Sequence, residues 1–256
     1  MDPDYIAGEL IRAERERTAI PAFTRRFPFL ITRRAYQAQE LVVGHRLAGG
    51  ETLVGAKLGL TSRIMQQAVN VHEPVYGWLT SGMVAPHGEP LPLGELIHPR
   101  AEPEIAFLLA RPPARPATIT SVLAATEVVF GAIEVFDSRY EHYQYRLPDV
   151  IADNVGAARF VLGPRARRPG ELTDLRLVGC VLRSHGEVTG TGAGGAALGH
   201  PAAAVAWLVN VLAAEGRQLA AGSLVLSGGL TAPVPLTRGR SVSADFDGLG
   251  SVSVHG

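Results

Sequence analysis

Cysteine is nearly missing from this 256-residue chain: Cys180 is the only one, which rules out an intramolecular disulfide framework and suits a reducing cytoplasm. Cys180 lies in the apolar run 177–182, so it reads as a buried structural thiol rather than a nucleophile. An excess of charge of either sign is missing too. The 24 basic and 24 acidic side chains cancel, and no global field favours nucleic acid or an anionic membrane. No stretch reaches the ~18 consecutive apolar residues of a membrane helix. The opening residues, Met1-Asp-Pro-Asp-Tyr5, lack the basic and apolar regions of a signal peptide. A soluble, cytoplasmic protein is expected, with neither nucleic acid nor membrane among its partners. Three functional classes also lose support: there is no GxxxxGK[ST] phosphate loop, no G-x-S-x-G nucleophile elbow, and the eight histidines show no metal-ligand spacing. His200, just before Pro201, reads as a helix-entry residue.

What the chain does have is turn-forming residues. With 29 Gly and 18 Pro it must turn often, which favours a β-rich architecture over a helical bundle. Apolar spacing predicts helices over 4–17 and 32–47, the second ended by Gly49-Gly50. Residues 52–60 read as a Gly-punctuated strand, 61–68 as a short helix capped by Thr61-Ser62, and 74–78 as a turn. Strands are expected over 104–110, 128–136 and 158–162, with a short helix over 118–126 and a polar stretch over 149–154. Residues 175–183 and 187–191 read as a hairpin around Ser184-His-Gly186. The clearest helix is 201–215, with Pro near its start and Gly216 after its end, and 224–226 and 241–254 finish the chain as strands. Strands predominate, helices do not alternate regularly with them, and no repeat is visible. The expected class is α+β, mixed and mostly β, with a helical N-terminal segment over 1–50 packed on a main domain over 51–256.

Two carboxylates open the chemical reading. Glu102-Pro103-Glu104 stands at the mouth of an apolar run, and alternation along a strand points both side chains the same way. Like charges side by side resist desolvation, and a hard divalent cation such as Mg²⁺ or Mn²⁺ relieves both problems. Glu134, set among Ala132, Ile133, Val135 and Phe136, is a third carboxylate in apolar company that needs a compensating partner. Exposed acidic residues at a strand entry remain the alternative for Glu102 and Glu104. Lysine is scarce, since nearly all the basic charge is arginine, and Lys57 sits in Gly55-Ala-Lys-Leu-Gly59. There it can bind a substrate carboxylate or polarise a carbonyl, or else lie on the core with its amine in water. Asp137-Ser-Arg-Tyr140 and Asp153-Asn154 cluster where strands end, and Ser227-Gly-Gly-Leu-Thr231 can present backbone N–H groups to an oxyanion.

Several segments also occur in a telling order: Gly55-Ala-Lys-Leu-Gly-Leu-Thr-Ser62, Glu73-Pro-Val-Tyr-Gly77, Glu102-Pro-Glu-Ile-Ala-Phe107, Glu134-Val-Phe-Asp-Ser-Arg139, Ala152-Asp-Asn154, Leu198-Gly-His-Pro201 and Ser227-Gly-Gly229. Over nearly its whole length the chain resembles the 2-keto-4-pentenoate hydratase and 4-oxalocrotonate decarboxylase family, within the fumarylacetoacetate hydrolase superfamily. The resemblance implies a mixed β-roll with flanking helices, and Mg²⁺ or Mn²⁺ held by Glu102, Glu104 and Glu134. It further implies that Lys57 faces the substrate, that Asp153 takes a catalytic orienting part, and that Ser138, Arg139, Asn154 and Ser227 bind substrate. Residues 138–140 followed by 147–154 look more like the decarboxylases than the hydratases, whereas Val155-Gly-Ala-Ala158 departs from a serine-rich stretch. The expected reaction is loss of CO₂ from 2-oxo-3-hexenedioate to give 2-hydroxypenta-2,4-dienoate, with hydration of that dienoate as the alternative. Expected partners are the small 2-oxo-enedioate, further copies of the chain in a homo-oligomer, and the downstream hydratase. A non-catalytic partner subunit is the reading from outside the enzymes.

Overall fold

Helix signals at the start of the chain produce three helices before any strand. In the computed structural model, which describes residues 1–68 and 71–256, these are α1 (Pro3–Glu16), α2 (Phe23–Arg26) and α3 (Thr32–Ala48). The Asp2 side chain caps α1 by accepting from the Asp4 amide, and Gly49 ends α3. Next come β1 (Leu53–Gly59), α4 (Arg63–Ala68), β2 (Val75–Thr80), β3 (Arg100–Leu109), α5 (Ile119–Ala125) and β4 (Thr126–Phe136). The chain continues through α6 (Leu147–Ala152), β5 (Ala157–Leu162), β6 (Gly179–Ser184), β7 (Glu187–Ala193) and α7 (Pro201–Ala214). It finishes with β8 (Leu224–Leu226), β9 (Val234–Pro235), β10 (Ser241–Phe246) and β11 (Gly250–His255).

The strands form two sheets. The larger runs β2-β1-β8-β3-β4-β5 with β9 also pairing β3, and only β1 and β8 among its pairs are parallel. The smaller is antiparallel in the order β11-β10-β6-β7. Period-two alternation then sorts the side chains of the large sheet. Ile105, Phe107 and Leu109 of β3, with Val129, Ile133 and Val135 of β4, join the main core with α7 and the small sheet. Each such burial contributes about 1.5–3 kcal/mol against unfolding. The opposite face of the same strands carries Glu102, Glu104 and Glu134.

A second core gathers Ile6, Leu10, Phe23, Ala35, Ala38 and Val42 from the first three helices against Ile151 and Ala152 of α6 and Val75 of β2. Residues 194–214, mean hydropathy 1.5, are long and apolar enough to cross a membrane. Eight residues of α7 within that stretch are nevertheless buried in the fold, the pattern of a core helix. His200 caps α7, its Nδ1 accepting from the Ala202 amide at 3.0 Å, as its position before Pro201 suggested.

Several expectations needed correction. Residues 74–78 are not a turn but the start of β2, a strand whose six residues are all buried and which pairs β1 along its length. Residues 149–154 are not simply a polar connection. Asp149 is fully buried in α6, accepting from the Arg146 amide at 2.9 Å and from the Thr24 amide and hydroxyl at 3.0 and 2.5 Å, so its partner lies far away in sequence. The expected strand at 175 begins only at Gly179, because residues 175–177 form a 3₁₀ turn capped by Asp174.

Candidate metal centre and its charge network

Strand β3 starts at Arg100, earlier than expected, so the Glu102–Glu104 pair lies inside the strand instead of at its mouth. Pro103 is tolerated there because β9 pairs only Arg100 and Ala101, and β8 only Ala106–Leu108. The turn 227–230 fills the gap: the Ser227 amide donates to the Ile105 carbonyl at 3.1 Å, and the Leu230 amide to the Pro103 carbonyl at 2.9 Å. On the other side Glu102 stands directly opposite Glu134 of β4. Like charges facing each other across a ladder destabilise it.

Each of Glu102, Glu104 and Glu134 offers a carboxylate oxygen within 4.8 Å of the others. Glu104 and Glu134 are buried, Glu102 partly exposed. Burial, then the charge of Glu134, pushes the Glu102 carboxyl up to about 7, and the same causes hold Glu104 well above the usual carboxylate range. The expected oxyanion role of the 227–231 turn is met by a protein carboxylate, since the Gly228 amide donates to Glu104 Oε2 at 2.6 Å. A side chain at Gly229 would displace the Glu102 carboxylate from its present place.

Lys57 is the only lysine in the chain and is 2% exposed. Its Nζ meets Glu134 Oε2 at 2.7 Å and donates to the Val155 carbonyl at 3.2 Å. Burial alone would lower this amine, but Glu134, Glu102 and Glu104 outweigh it and hold the ammonium above its ordinary value. One cation therefore faces three carboxylates. Glu104 Oε1 and Glu134 Oε1 are buried and have no hydrogen-bond partner among the described residues. A divalent cation would bring the sum of charges to zero and satisfy both orphaned oxygens, so the donor set fits a hard, oxygen-loving metal such as Mg²⁺.

The remaining residues singled out in the sequence form a second network. Arg139 and Asp153 are buried and joined by Nε to Oδ1, while the Arg139 amide donates to Asp153 Oδ2 at 3.0 Å. Arg139 Nη1 and Nη2 reach the Asp137 and Asp153 carbonyls at 2.8 and 2.5 Å. Ser138 Oγ donates to Asp153 at 3.2 Å, and Asp137 accepts from the Ile97 and His98 amides, each at 2.7 Å. Burial raises the Asp153 carboxyl to about 6 against the pull of Arg139. Asn154 is spent on β2, accepting from the Trp78 amide at 2.7 Å and donating to the Trp78 carbonyl at 2.9 Å. The carbonyl of Asn154 presses on Gly77, where a side chain would collide with it. In this structure the polar groups of Arg139, Asp153, Ser138 and Asn154 thus engage the protein itself. Ser227 Oγ is fully buried and has no hydrogen-bond partner among the described residues.

The two networks meet at one turn. Asn154, Val155 and Gly156 have φ of 49°, 54° and 70°, and a β-branched residue there costs on the order of 1–3 kcal/mol. The Asp153 and Asn154 contacts hold this turn, and the Val155 carbonyl it presents is the one Lys57 uses. Sequence reading missed an aromatic wall beside Lys57. The Nζ lies 5.9 Å from the Phe136 ring centroid, Phe136 is edge-on to Tyr143 at 5.7 Å, and Tyr143 is edge-on to Tyr145 at 6.4 Å. Aromatic residues following Asp137-Ser-Arg139 were the available signal.

Residues 52–255 match the family described as fumarylacetoacetate (FAA) hydrolase C-terminal. The chain belongs to this family. Among curated members of similar sequence, a 4-oxalocrotonate decarboxylase of Pseudomonas sp. (strain CF600) is 39% identical over 249 residues, covering 97% of this chain and 94% of that protein. A 2-oxo-hept-4-ene-1,7-dioate hydratase of Escherichia coli is 38% identical over 255 residues, covering 97% and 95%. The solved 4-oxalocrotonate decarboxylase from Pseudomonas putida G7, complexed with magnesium and adipate, superposes with a TM-score of 0.94 at 36% identity over 98% of this chain and 95% of that one. The expected α+β fold, the family and the fit to a magnesium-type cation are thereby borne out for this FAA hydrolase family member.

Proposed function

We propose that the protein is a carbon–carbon lyase that decarboxylates 2-oxo-3-hexenedioate (4-oxalocrotonate) to 2-hydroxypenta-2,4-dienoate, in the breakdown of aromatic ring-cleavage products. The observation that carries this reading is the under-neutralised group of three carboxylates around a single buried ammonium, in a fold shared with a magnesium- and adipate-bound decarboxylase. Glu102, Glu104 and Glu134 would hold the divalent cation, whose bound form supplies a Lewis acid for the 2-oxo-carboxylate end of the substrate.

The chain's own residues supply the rest. Breaking the bond to the distal carboxylate sends its electron pair through the conjugated system to the C2 oxygen. Negative charge therefore grows at that oxygen, which finally takes a proton to give the 2-hydroxydienoate. Among the described residues, Glu134 and Val155 occupy two of the three N–H groups of Lys57, leaving one to stabilise that charge. The Phe136–Tyr143 wall keeps water from the developing dienolate. Asp153, Arg139, Ser138 and Asn154 act as positioning residues, fixing the 153–156 turn and with it the Val155 carbonyl that aims Lys57. Ser227 belongs to the turn that supports Glu104. A cytoplasmic location, a homo-oligomer, and association with the hydratase that consumes the product belong to the same proposal.

Hydration of a 2-hydroxydienoate is the second reading, favoured by hydratases of nearly equal identity. Release of CO₂ separates the two. Ultraviolet monitoring of 2-oxo-3-hexenedioate with Mg²⁺, coupled to CO₂ detection, is expected to show one CO₂ per substrate consumed. Hydration of 2-hydroxypenta-2,4-dienoate without CO₂ release from the enedioate would overturn the decarboxylase.

A further inference from the structure

Arg100 stands on the same face of β3 as Glu102 and Glu104, opposite Phe136 just as Glu102 is opposite Glu134. One same-face step, about 7 Å of strand, separates it from Glu102. With three carboxylates so near, an arginine would ordinarily pair with one of them. Arg100 does not: among the described residues no carboxylate lies within ion-pairing distance, and its guanidinium stacks over the Tyr143 ring at 4.1 Å instead. Tyr143 is itself fixed, its hydroxyl donating to the His98 carbonyl at 2.5 Å and its ring stacked on His98 at 4.6 Å. The aromatic wall therefore carries a cation at each end, Lys57 beside Phe136 and Arg100 over Tyr143. Lys57 is buried and its charge is answered by Glu134, with one N–H group left for the C2 oxygen. Arg100 is half-buried, stacked on Tyr143, and has no counter-charge among the described residues.

We propose that Arg100 receives the distal carboxylate of the substrate and so makes this a site for dicarboxylic 2-oxo acids, an assignment that rests on the function proposed above. Once a divalent cation and Lys57 have balanced the three glutamates, Arg100 is the positive charge left over at this face. A carboxylate at the far end of a chain lying along Phe136 and Tyr143 meets the planar guanidinium fork, which suits bidentate recognition. Because that carboxylate leaves as neutral CO₂, its pairing with Arg100 stabilises the bound substrate more than the transition state. Arg100 therefore governs KM and substrate choice, with kcat unchanged or held slightly down. A packing role for the stacked guanidinium would give no such split between one-ended and two-ended acids.

The test is calorimetric binding of adipate and of hexanoate to the Mg²⁺-loaded protein, which compares a two-ended with a one-ended six-carbon acid without catalysis. The wild type is expected to prefer adipate by about tenfold or more, Arg100→Gln to bind both alike, and Arg100→Lys to recover part of the preference. In turnover, Arg100→Gln is expected to raise KM for 2-oxo-3-hexenedioate by a similar factor without lowering kcat. Binding of 2-oxobutanoate, which carries no distal carboxylate, serves as the control and is expected to be equal in all three proteins. Equal 2-oxobutanoate binding with the adipate preference intact in Arg100→Gln overturns the role of Arg100 alone. Failure of 2-oxobutanoate to bind even the Mg²⁺-loaded wild type overturns the proposed function, and this assignment with it.

Discussion

Two buried charge networks sit side by side in this fold, and they are finished to different degrees. Around Asp153, one cation meets one carboxylate, and Ser138, two backbone carbonyls and the Arg139 amide complete the hydrogen bonding. Around Glu134, among the described residues, one cation meets three carboxylates and buried oxygens are left without partners. A closed network can hold a turn in shape but has nothing left to offer a ligand. An open one costs stability until something binds, and burial retains that cost as binding free energy for a cation. The difference supports the proposed division, in which the first network holds structure and the second carries the chemistry.

Damage to each network should therefore show in different measurements. Replacing Glu104 by Gln is expected to lower decarboxylation by about a thousandfold or more, the loss of several kcal/mol of charge stabilisation. The same change removes a like charge, so the thermal midpoint of the metal-free protein should stay level or rise. A fall in that midpoint with activity retained would erase the contrast. Asp153→Asn should act in the reverse sense, leaving Arg139 buried without its counter-ion and lowering stability by about 3–5 kcal/mol in chemical denaturation.

A smaller, pH-dependent part sharpens this second expectation. An unfolded aspartate titrates near 3.9, whereas Asp153 in the fold keeps its proton up to about 6. Across that interval the folded wild type binds more protons than the unfolded chain and loses stability as pH rises, with no further loss above it. Asp153→Asn lacks this group. Its deficit against the wild type should shrink by on the order of 2 kcal/mol between pH 4 and pH 7, and a deficit that widens would reverse the assignment of burial as the dominant cause.

The same contrast explains what could be seen in the sequence. Glu102, Glu104 and Glu134 were legible because strand alternation fixes which way they face, and an unpaired carboxylate among apolar residues has few explanations. Lys57 stood out because lysine is so rare in this chain. The closed network was legible as a polar cluster but not as a closed one, since Asp153 and Arg139 are 14 residues apart and Asn154 is completed by Trp78, 76 residues away. Strand β2 was misread for a similar reason: Gly77 looks like a turn residue, yet it is small because Asn154 presses on it. Arg100 is not legible in the sequence, because what marks it is the lack of a carboxylate partner among the described residues, visible only once its neighbours are placed.

The most direct test of the account is calorimetric titration of the metal-free protein with Mg²⁺, comparing wild type, Glu104→Gln and Asp153→Asn at a temperature where all three are folded. One Mg²⁺ per chain is expected in the wild type and in Asp153→Asn, and none in Glu104→Gln. Absence of binding in the wild type, or undiminished binding in Glu104→Gln, would contradict it.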